Sequence, residues 1–314
     1  MKKTVLVDSN YLCHRAMHST NNMRFNGIRT GIVFGFFQQL ITLATTLRPD
    51  QFIFFWDSDS KASERKKLLP IYKEKPKKEL SEAEQEERKM AFAQFTQLRR
   101  TILPEIGFNN NIIQKGYESD DTIARYALDH GGREDIVIAT ADDDMLQLLD
   151  HAKIYNLYRN ELYTAEKFRA DYGIEPNLWV EVKKIAGCNS DNIPGVMGVG
   201  EKTAIKYLTK GLKESTKTFK DITASPEVIE FNHKLVKLPF PGTKRIEIVK
   251  DEFSMIAFLR MCRQFGMYSF RTESKKALIR KLFTGGSSDV QEKQKSRKRS
   301  RSKSISRKES GKGS

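Results

Sequence analysis

Cysteine is scarce in this chain, with three residues in 314 (Cys13, Cys188 and Cys262), odd in number and far apart. That set argues against a disulfide framework and suits a reducing compartment. Histidine is nearly as sparse, and none of the five has zinc-type spacing. No apolar run reaches the roughly 18 to 20 residues needed to span a bilayer, so no membrane partner is expected. The amino terminus, MKKTVLVDSN, has a charged start but too short an apolar stretch for a signal peptide. Acid is the minority charge: 40 Asp+Glu against 55 Lys+Arg leave a net +15. Such an excess suggests a polyanion partner, although charge alone does not separate nucleic acid from a merely basic soluble protein. Hydrophobic residues make up 39%, enough for a sizeable core and too many for wholesale disorder.

The charge is unevenly spread. From Gly285 onward the chain is a Ser/Arg/Lys tract with ten Lys/Arg and three Asp/Glu, a net of +7 that leaves +8 on the rest. The tract cannot bury enough surface to offset its ordering entropy, so a disordered tail is expected over 285–314. Three readings of the tail stand open: a solubilising segment, a nonspecific nucleic-acid arm, and a nuclear-import signal in a eukaryotic host. The arm is favoured.

Upstream, Val5 to Val7, Phe52 to Trp56 and Ile136 to Ala139 are short β-rich runs without helical spacing, as expected of strands buried on both faces. Between them Val33, Phe36, Phe37, Leu40, Ala44 and Leu47 recur at helical intervals, and Arg48-Pro49 ends that run. Ala91, Phe95, Leu98 and Ile102 mark another amphipathic helix. This alternation points to an α/β fold with a mainly parallel sheet. Lys61 to Lys89 breaks the pattern, being highly charged with two prolines. It reads equally as a solvated loop leading into an exposed helix and as a single-strand path, with stacking on Tyr72 and phosphate contacts from Arg65, Lys66 and Lys73. From about Asn177 the chain looks mainly helical.

Each apparent strand ends in acid. Asp8 closes TVLVD, Asp57 closes FIFFWD, Asp142 to Asp144 close IVIATADDD, and Glu118 to Asp121 open a helix. One Asp after a strand is usually a turn residue, and acids at a helix start cap it. Four acidic groups at four equivalent positions, however, should converge beyond the carboxyl ends of the strands and repel one another unless cations neutralise them. Oxygen ligands without Cys or His clusters suit two Mg²⁺ or Mn²⁺ ions, a site able to activate water and stabilise the leaving oxygen of a phosphodiester. Further on, GCNSDNIPGVMGVGEKTA places Gly195, Gly198 and Gly200 in a tight turn before a helix start at Glu201, where exposed amides can hold a phosphate.

With these motifs in hand (VLVDSNYLCHRA, FIFFWDS, GYESDDTIA, IATADDDMLQLL and GCNSDNIPGVMGVGEKTA, in that order), the chain resembles the 5′-nuclease family over about residues 1 to 275. That family comprises the exonuclease domain of bacterial DNA polymerase I, phage 5′-exonucleases with ribonuclease H activity, and flap endonucleases. The resemblance implies a PIN-like metal-dependent core over 1–175, a helical arch at about 60–90, and a helical region over 176–284 containing a helix–hairpin–helix module. Carried over by motif, Asp8, Asp57, Glu118 and Asp120 hold the first metal, Asp142, Asp144 and Asp191 hold or orient the second, and Asp121 is accessory. Asp143 is left out of the set. Arg65, Lys66, Tyr72 and Lys73 would serve the arch, and Gly195, Gly198, Gly200 and Lys202 the duplex, with K⁺ at the hairpin. Two departures stand out. Pro76 occupies a position that is basic in many relatives, with Lys75 or Lys77 as substitutes. Cys188 stands where relatives commonly carry Asp, which removes one second-site acid and predicts weaker second-metal binding.

The activity so implied is 5′-3′ exonuclease with 5′-flap endonuclease action on DNA, and removal of RNA primers from RNA–DNA hybrids. The enzyme is expected to be a monomer, free-standing or recruited by replication proteins, in the cytoplasm of a bacterial or phage-infected cell. Two alternatives remain: a catalytically weak DNA-binding protein of the same fold, and an RNA-processing nuclease of the PIN class.

Overall fold

A computed structural model describes residues 1–20, 22–76 and 79–284; the basic tail and Lys77 lie outside the described residues. Six strands form the central sheet: β1 (Lys3–Asp8), β2 (Gln51–Phe55), β3 (Asn111–Ile112), β4 (Asp135–Ala139), β5 (Lys153–Asn156) and β6 (Glu161–Tyr163). Their order is β3-β2-β1-β4-β5-β6, and every pairing is parallel except β5 with β6. The sheet is therefore mainly parallel, as the strand–helix alternation required. β1 is central, with Thr4 beside Gln51 on one side and Ile136 on the other.

The strands are apolar at successive positions because both faces are covered. Val5, Val7, Phe52, Phe54, Val137 and Ala139 pack on one face, and Leu6, Ile53, Phe55, Ile136 and Ile138 on the other. The first face is covered by α1 (Ser9–Thr20), α2 (Gly31–Leu47) and α4 (Glu82–Gln97), with α3 (Ser63–Leu68) lying between β2 and α4 in the chain. α2 buries Phe36, Phe37 and Leu40 and ends where Arg48 adopts a left-handed conformation before Pro49. Truncating a fully buried Phe such as Phe36 to Ala would cost roughly 3–5 kcal/mol. α4 starts at a capping box between Ser81 and Glu84 and continues into a wider turn over Leu98–Ile102. Ala91, Phe95, Leu98 and Ile102 all face inward, as their spacing required.

The second face is covered by α5 (Ser119–His130) and by α6 (Trp179–Ala186), which leads through the glycine-rich turn to α7 (Glu201–Leu208). α8 (Pro226–Val236) packs on α6, while α9 (Met255–Gln264) and α10 (Glu273–Phe283) return to the first face through Phe258 and Ile279. Among the described residues no helix is long and apolar enough to cross a membrane.

Candidate metal centre and adjoining cavity

Parallel strands deliver their carboxyl ends to one edge, so chain direction alone gathers the acids that follow β1, β2 and β4. Asp8 is the last residue of β1, Asp57 lies two residues beyond β2, and Asp142 three beyond β4. The amino end of α5 adds Glu118 and Asp120, and a short turn after α6 adds Asp191. Polar contacts pin the cluster. Asp8 accepts hydrogen bonds from the Tyr11 amide (3.1 Å) and the Thr140 hydroxyl (3.0 Å). Asp57 accepts from the Ser119 amide (3.0 Å) and hydroxyl (3.2 Å), while its own amide donates to Asn10 Oδ1 (3.0 Å).

The electrostatics record too much negative charge in too little water. Burial pushes the Asp8 carboxyl from 3.8 up to about 7, with Asp57 and Asp142 adding repulsion against its two hydrogen bonds. Enclosure within the crevice, then the neighbouring Asp144, raises Asp142 to about 6 although its side chain still opens to solvent. Asp120 stands well above the usual carboxylate range through burial and then Asp142, and Asp191 is raised by burial with Asp144 and Glu118 adding to it. Asp57 is the exception. Burial would raise it, but the Lys61 ammonium at 2.7 Å and the Ser119 hydrogen bonds outweigh that and hold it low. Clustered carboxylates that resist ionisation call for divalent cations, and an all-oxygen donor set of this kind suits hard ions.

Of the three donors expected for the second ion, Asp144 and Asp191 come together with Cys188, while Asp142 lies outside that group. Ligand atoms of Asp144, Cys188 and Asp191 all lie within 4.8 Å of one another, the one such trio among the described residues. Lys183 sits 2.9 Å from Asp144 Oδ1 and 3.2 Å from Glu201 Oε1.

Three expectations need correction. Arg65 is 3% exposed and gives both terminal nitrogens to Asp121 (2.7 and 2.8 Å), one of them also to Glu118 (3.4 Å), and its Nε to the Leu235 carbonyl (3.0 Å), so burial withholds it from a phosphate. Asp121 is fully buried, and its oxygens are taken by Arg65 and the amides of Phe240 and Glu118, which removes it from the metal ligands. Tyr72 is 3% exposed, too enclosed for a base to stack on. Its hydroxyl has the Glu118 (2.9 Å) and Asp191 (3.2 Å) carboxylates within reach of its single proton. Lys73 reaches into the crevice, with its ammonium 2.5 Å from Glu118 and 3.6 Å from Asp191. Burial would lower its affinity for a proton, but Glu118 together with Tyr72, Asp120 and Asp191 outweighs that and holds it charged. Lys66 is exposed and away from these contacts.

Beside the acids lies a cavity of about 720 Å³ between α1 and α4, bordered by Asp57, Lys61, Lys73, Arg88, Phe92 and Arg99. Phe92 is 37% exposed, carries the Arg88 guanidinium 5.5 Å above its ring and meets His14 edge-on. Burial and then Lys61 lower the His14 pKa, which keeps that ring neutral. Sequence reasoning missed this wall. Its signal was the spacing of Arg88, Phe92, Phe95 and Arg99, which places them on one helix face.

At the glycine-rich turn two backbones touch. A Cβ on Gly195 would lie 2.1 Å from the Ala186 carbonyl oxygen, and one on Gly187, whose φ is +73°, would lie 2.3 Å from the Gly195 nitrogen. Gly198, Gly200 and Lys202 lie on the surface of this turn near Met197, which is 93% exposed, and Gly200 precedes α7 without a side-chain cap. Such a site presents backbone amides outward.

The family model described as 5′-3′ exonuclease, N-terminal resolvase-like domain, matches residues 3–173. A 5′-3′ exonuclease of Bacillus subtilis is 35% identical over 219 residues, which cover 66% of this chain and 69% of the relative. Among solved structures, a phage T5 protein co-crystallised with metal ions shares the fold at a TM-score of 0.65 and 21% identity, covering 76% of this chain and 90% of that one. The phage T5 flap endonuclease in a complex with DNA and metal ions matches at a TM-score of 0.61, with the same identity and coverage.

Proposed function

Because the chain belongs to the 5′-3′ exonuclease family and is a nuclease, we propose that it hydrolyses DNA from the 5′ end and cuts at 5′ flaps, using two Mg²⁺ or Mn²⁺ ions. The observation that carries this reading is the convergence of Asp8, Asp57, Glu118, Asp120, Asp142, Asp144 and Asp191 at one sheet edge, beside a basic cavity. The T5 flap endonuclease, seen with DNA and metal ions, supports it. The ions would neutralise charge developing at the scissile phosphate and supply the Lewis acidity that activates water.

The chain's own residues divide the remaining work. Asp8, Asp57, Glu118 and Asp120 would hold the first ion, and Asp142, Asp144 and Asp191 the second. Lys73, poised on Glu118, would turn its charge toward the incoming phosphate once a cation takes over the carboxylate. The cavity would take the 5′ strand, with Phe92 as a stacking surface and Lys61, Lys75, Arg88 and Arg99 for its phosphates, while the exposed Lys66 would meet the strand outside the cavity. The turn around Gly195, Gly198 and Gly200, with Lys202, would hold duplex by its backbone in the manner of a helix–hairpin–helix, with K⁺ at the turn, so recognition would follow shape rather than base sequence. On this reading residues 1–175 form the cutting unit and 176–284 the duplex-binding region. The protein acts as a monomer during replication in the cytoplasm of a bacterial or phage-infected cell, removes RNA primers from hybrids, and is recruited by replication proteins.

Asp142→Asn tests the assignment with little cost to the fold, because the side chain is exposed and asparagine can still accept the 2.8 Å bond from the Asp144 amide. Cleavage of a 5′-flap substrate in Mg²⁺ should fall on the order of 10²- to 10³-fold while duplex binding persists. Cleavage at the wild-type rate would refute the site. Assaying DNA flap, RNA–DNA hybrid and single-stranded RNA side by side decides the substrate, and preference for the last would move the protein to RNA processing.

A further inference from the structure

Cys188 holds the position at which the family resemblance leads one to expect a carboxylate, and the thiol does not stand alone. Its Sγ lies with carboxylate oxygens of Asp144 and Asp191 in a group spanning no more than 4.8 Å. The residue sits on a short antiparallel pair, opposite Ile193, at the start of the turn that carries Asp191, so the backbone fixes the direction of the thiol. Among the described residues the sulfur's one hydrogen-bond partner is the Ser190 hydroxyl at 3.1 Å. The two acids are more heavily engaged. Asp144 has the Lys183 ammonium at 2.9 Å, and Asp191 has the Tyr72 hydroxyl at 3.2 Å and Lys73 at 3.6 Å.

Those engagements weaken the group for a hard ion. Mg²⁺ gains its affinity from carboxylate charge, and here two lysines already offset that charge, while sulfur adds little for Mg²⁺. A thiophilic ion draws on the sulfur, which sits near Lys183 but, among the described residues, accepts no hydrogen bond from a lysine. Three protein donors with an open fourth position are the arrangement zinc accepts at reactive sites.

We propose that Cys188 is a ligand of the second ion and sets its identity, recruiting Zn²⁺ as a thiolate ahead of Mg²⁺ with Asp144 and Asp191 as partners. Binding forms one metal–sulfur bond and passes the thiol proton to solvent. The proposal rests on the nuclease reading for the ion's role at the second position, but its ligand chemistry can be read without turnover.

The experiment is a titration of the full-length chain with Co²⁺ as a visible substitute and with Zn²⁺ by calorimetry, on wild type, Cys188→Ser and Cys188→Asp. Wild type should show a cobalt–thiolate charge-transfer band that both variants lack, and should bind Zn²⁺ at least about 10-fold more tightly than Cys188→Ser. Zn²⁺ should also slow alkylation of Cys188 by iodoacetamide, which can be followed cleanly because Cys13 and Cys262 are buried. Cys188→Asp should reverse the preference, losing the band and lowering the Mg²⁺ concentration for half-maximal cleavage. A band that survives in Cys188→Ser, equal Zn²⁺ affinity in wild type and Cys188→Ser, or alkylation unaffected by Zn²⁺ would each overturn the proposal. Should Cys188→Ser fold poorly, the alkylation and Co²⁺ readings on wild type decide alone. Failure of the nuclease reading would look different: no Mg²⁺-dependent cleavage by wild type, with the cobalt band intact.

Discussion

Replacing Asp8 by Asn should stabilise the metal-free protein while destroying its activity. The carboxyl is 7% exposed and its pKa lies near 7 rather than 3.8. At 1.36 kcal/mol per pH unit, holding the anion in the fold costs about 4 kcal/mol at pH 8. The sign follows from proton counting. Between 3.8 and about 7 the native state binds more protons than the unfolded state, so stability contributed by this group is complete below pH 3.8 and declines until about pH 7. At pH 5 the penalty is only about 2 kcal/mol. Asparagine is nearly isosteric and neutral: its oxygen can accept from the Tyr11 amide, and its NH₂ can donate to the Thr140 hydroxyl. In EDTA at pH 8 the variant should therefore melt several degrees higher, roughly 5 °C for a chain of this size. The gap should narrow by about half at pH 5. Mg²⁺ should stabilise wild type more than the variant, because the cation relieves the same repulsion. Calorimetric scans of both proteins at the two pH values, with EDTA and with Mg²⁺, supply every term. A variant no more stable than wild type at pH 8, or a gap independent of pH, would refute the account of Asp8 as a strained ligand.

Three further outcomes follow from the packing. Arg65→Ala should cost about 3–5 kcal/mol in urea unfolding, since it strands the buried Asp121 carboxylate; a surface phosphate contact would leave stability within about 0.5 kcal/mol. Gly195→Ala should destabilise by about 1–3 kcal/mol or more, because the new methyl meets the Ala186 carbonyl, and it should weaken duplex binding in a gel-shift assay. Phe92→Ala should weaken binding of single-stranded DNA by about 1–3 kcal/mol without changing the cobalt spectrum, as measured by fluorescence anisotropy.

The sheet was legible because burial on both faces forces apolar runs such as TVLV and FIFF, and because parallel strands send their trailing acids to one edge. Asp8, Asp57 and Asp142 could thus be gathered without coordinates. β3 has two residues, β6 three and β5 four, too few for a period to register, and all three went unseen. The basic segment misled for a different reason. Arg65, Tyr72 and Lys73 look like a solvated path in the sequence, but a left-handed residue at Lys73 (φ 51°) and a hydrogen bond from the Lys73 amide to the Asp191 carbonyl fold them back against acids 45 to 119 positions away. Charge composition does not state which partner a charge will find. For the cysteines, the family resemblance sets Cys188 apart from Cys13 and Cys262, and the structure adds that those two are core thiols while Cys188 lies beside Asp144 and Asp191.

The buried Arg65–Asp121 pair also has a bearing on synthesis. Arg65 needs the carbonyl of Leu235 and Asp121 needs the amide of Phe240, so the amino end of α5, which carries Glu118 and Asp120, is completed by residues made more than a hundred positions later. A nascent chain that has emerged only as far as β6 contains nearly every carboxylate of the centre yet lacks the groups that lock two of them in place. The packing around Glu118 and Asp120 is thereby tied to synthesis as far as Phe240, and a product limited to the matched 3–173 segment would lack both Asp191 and the groups that hold the amino end of α5.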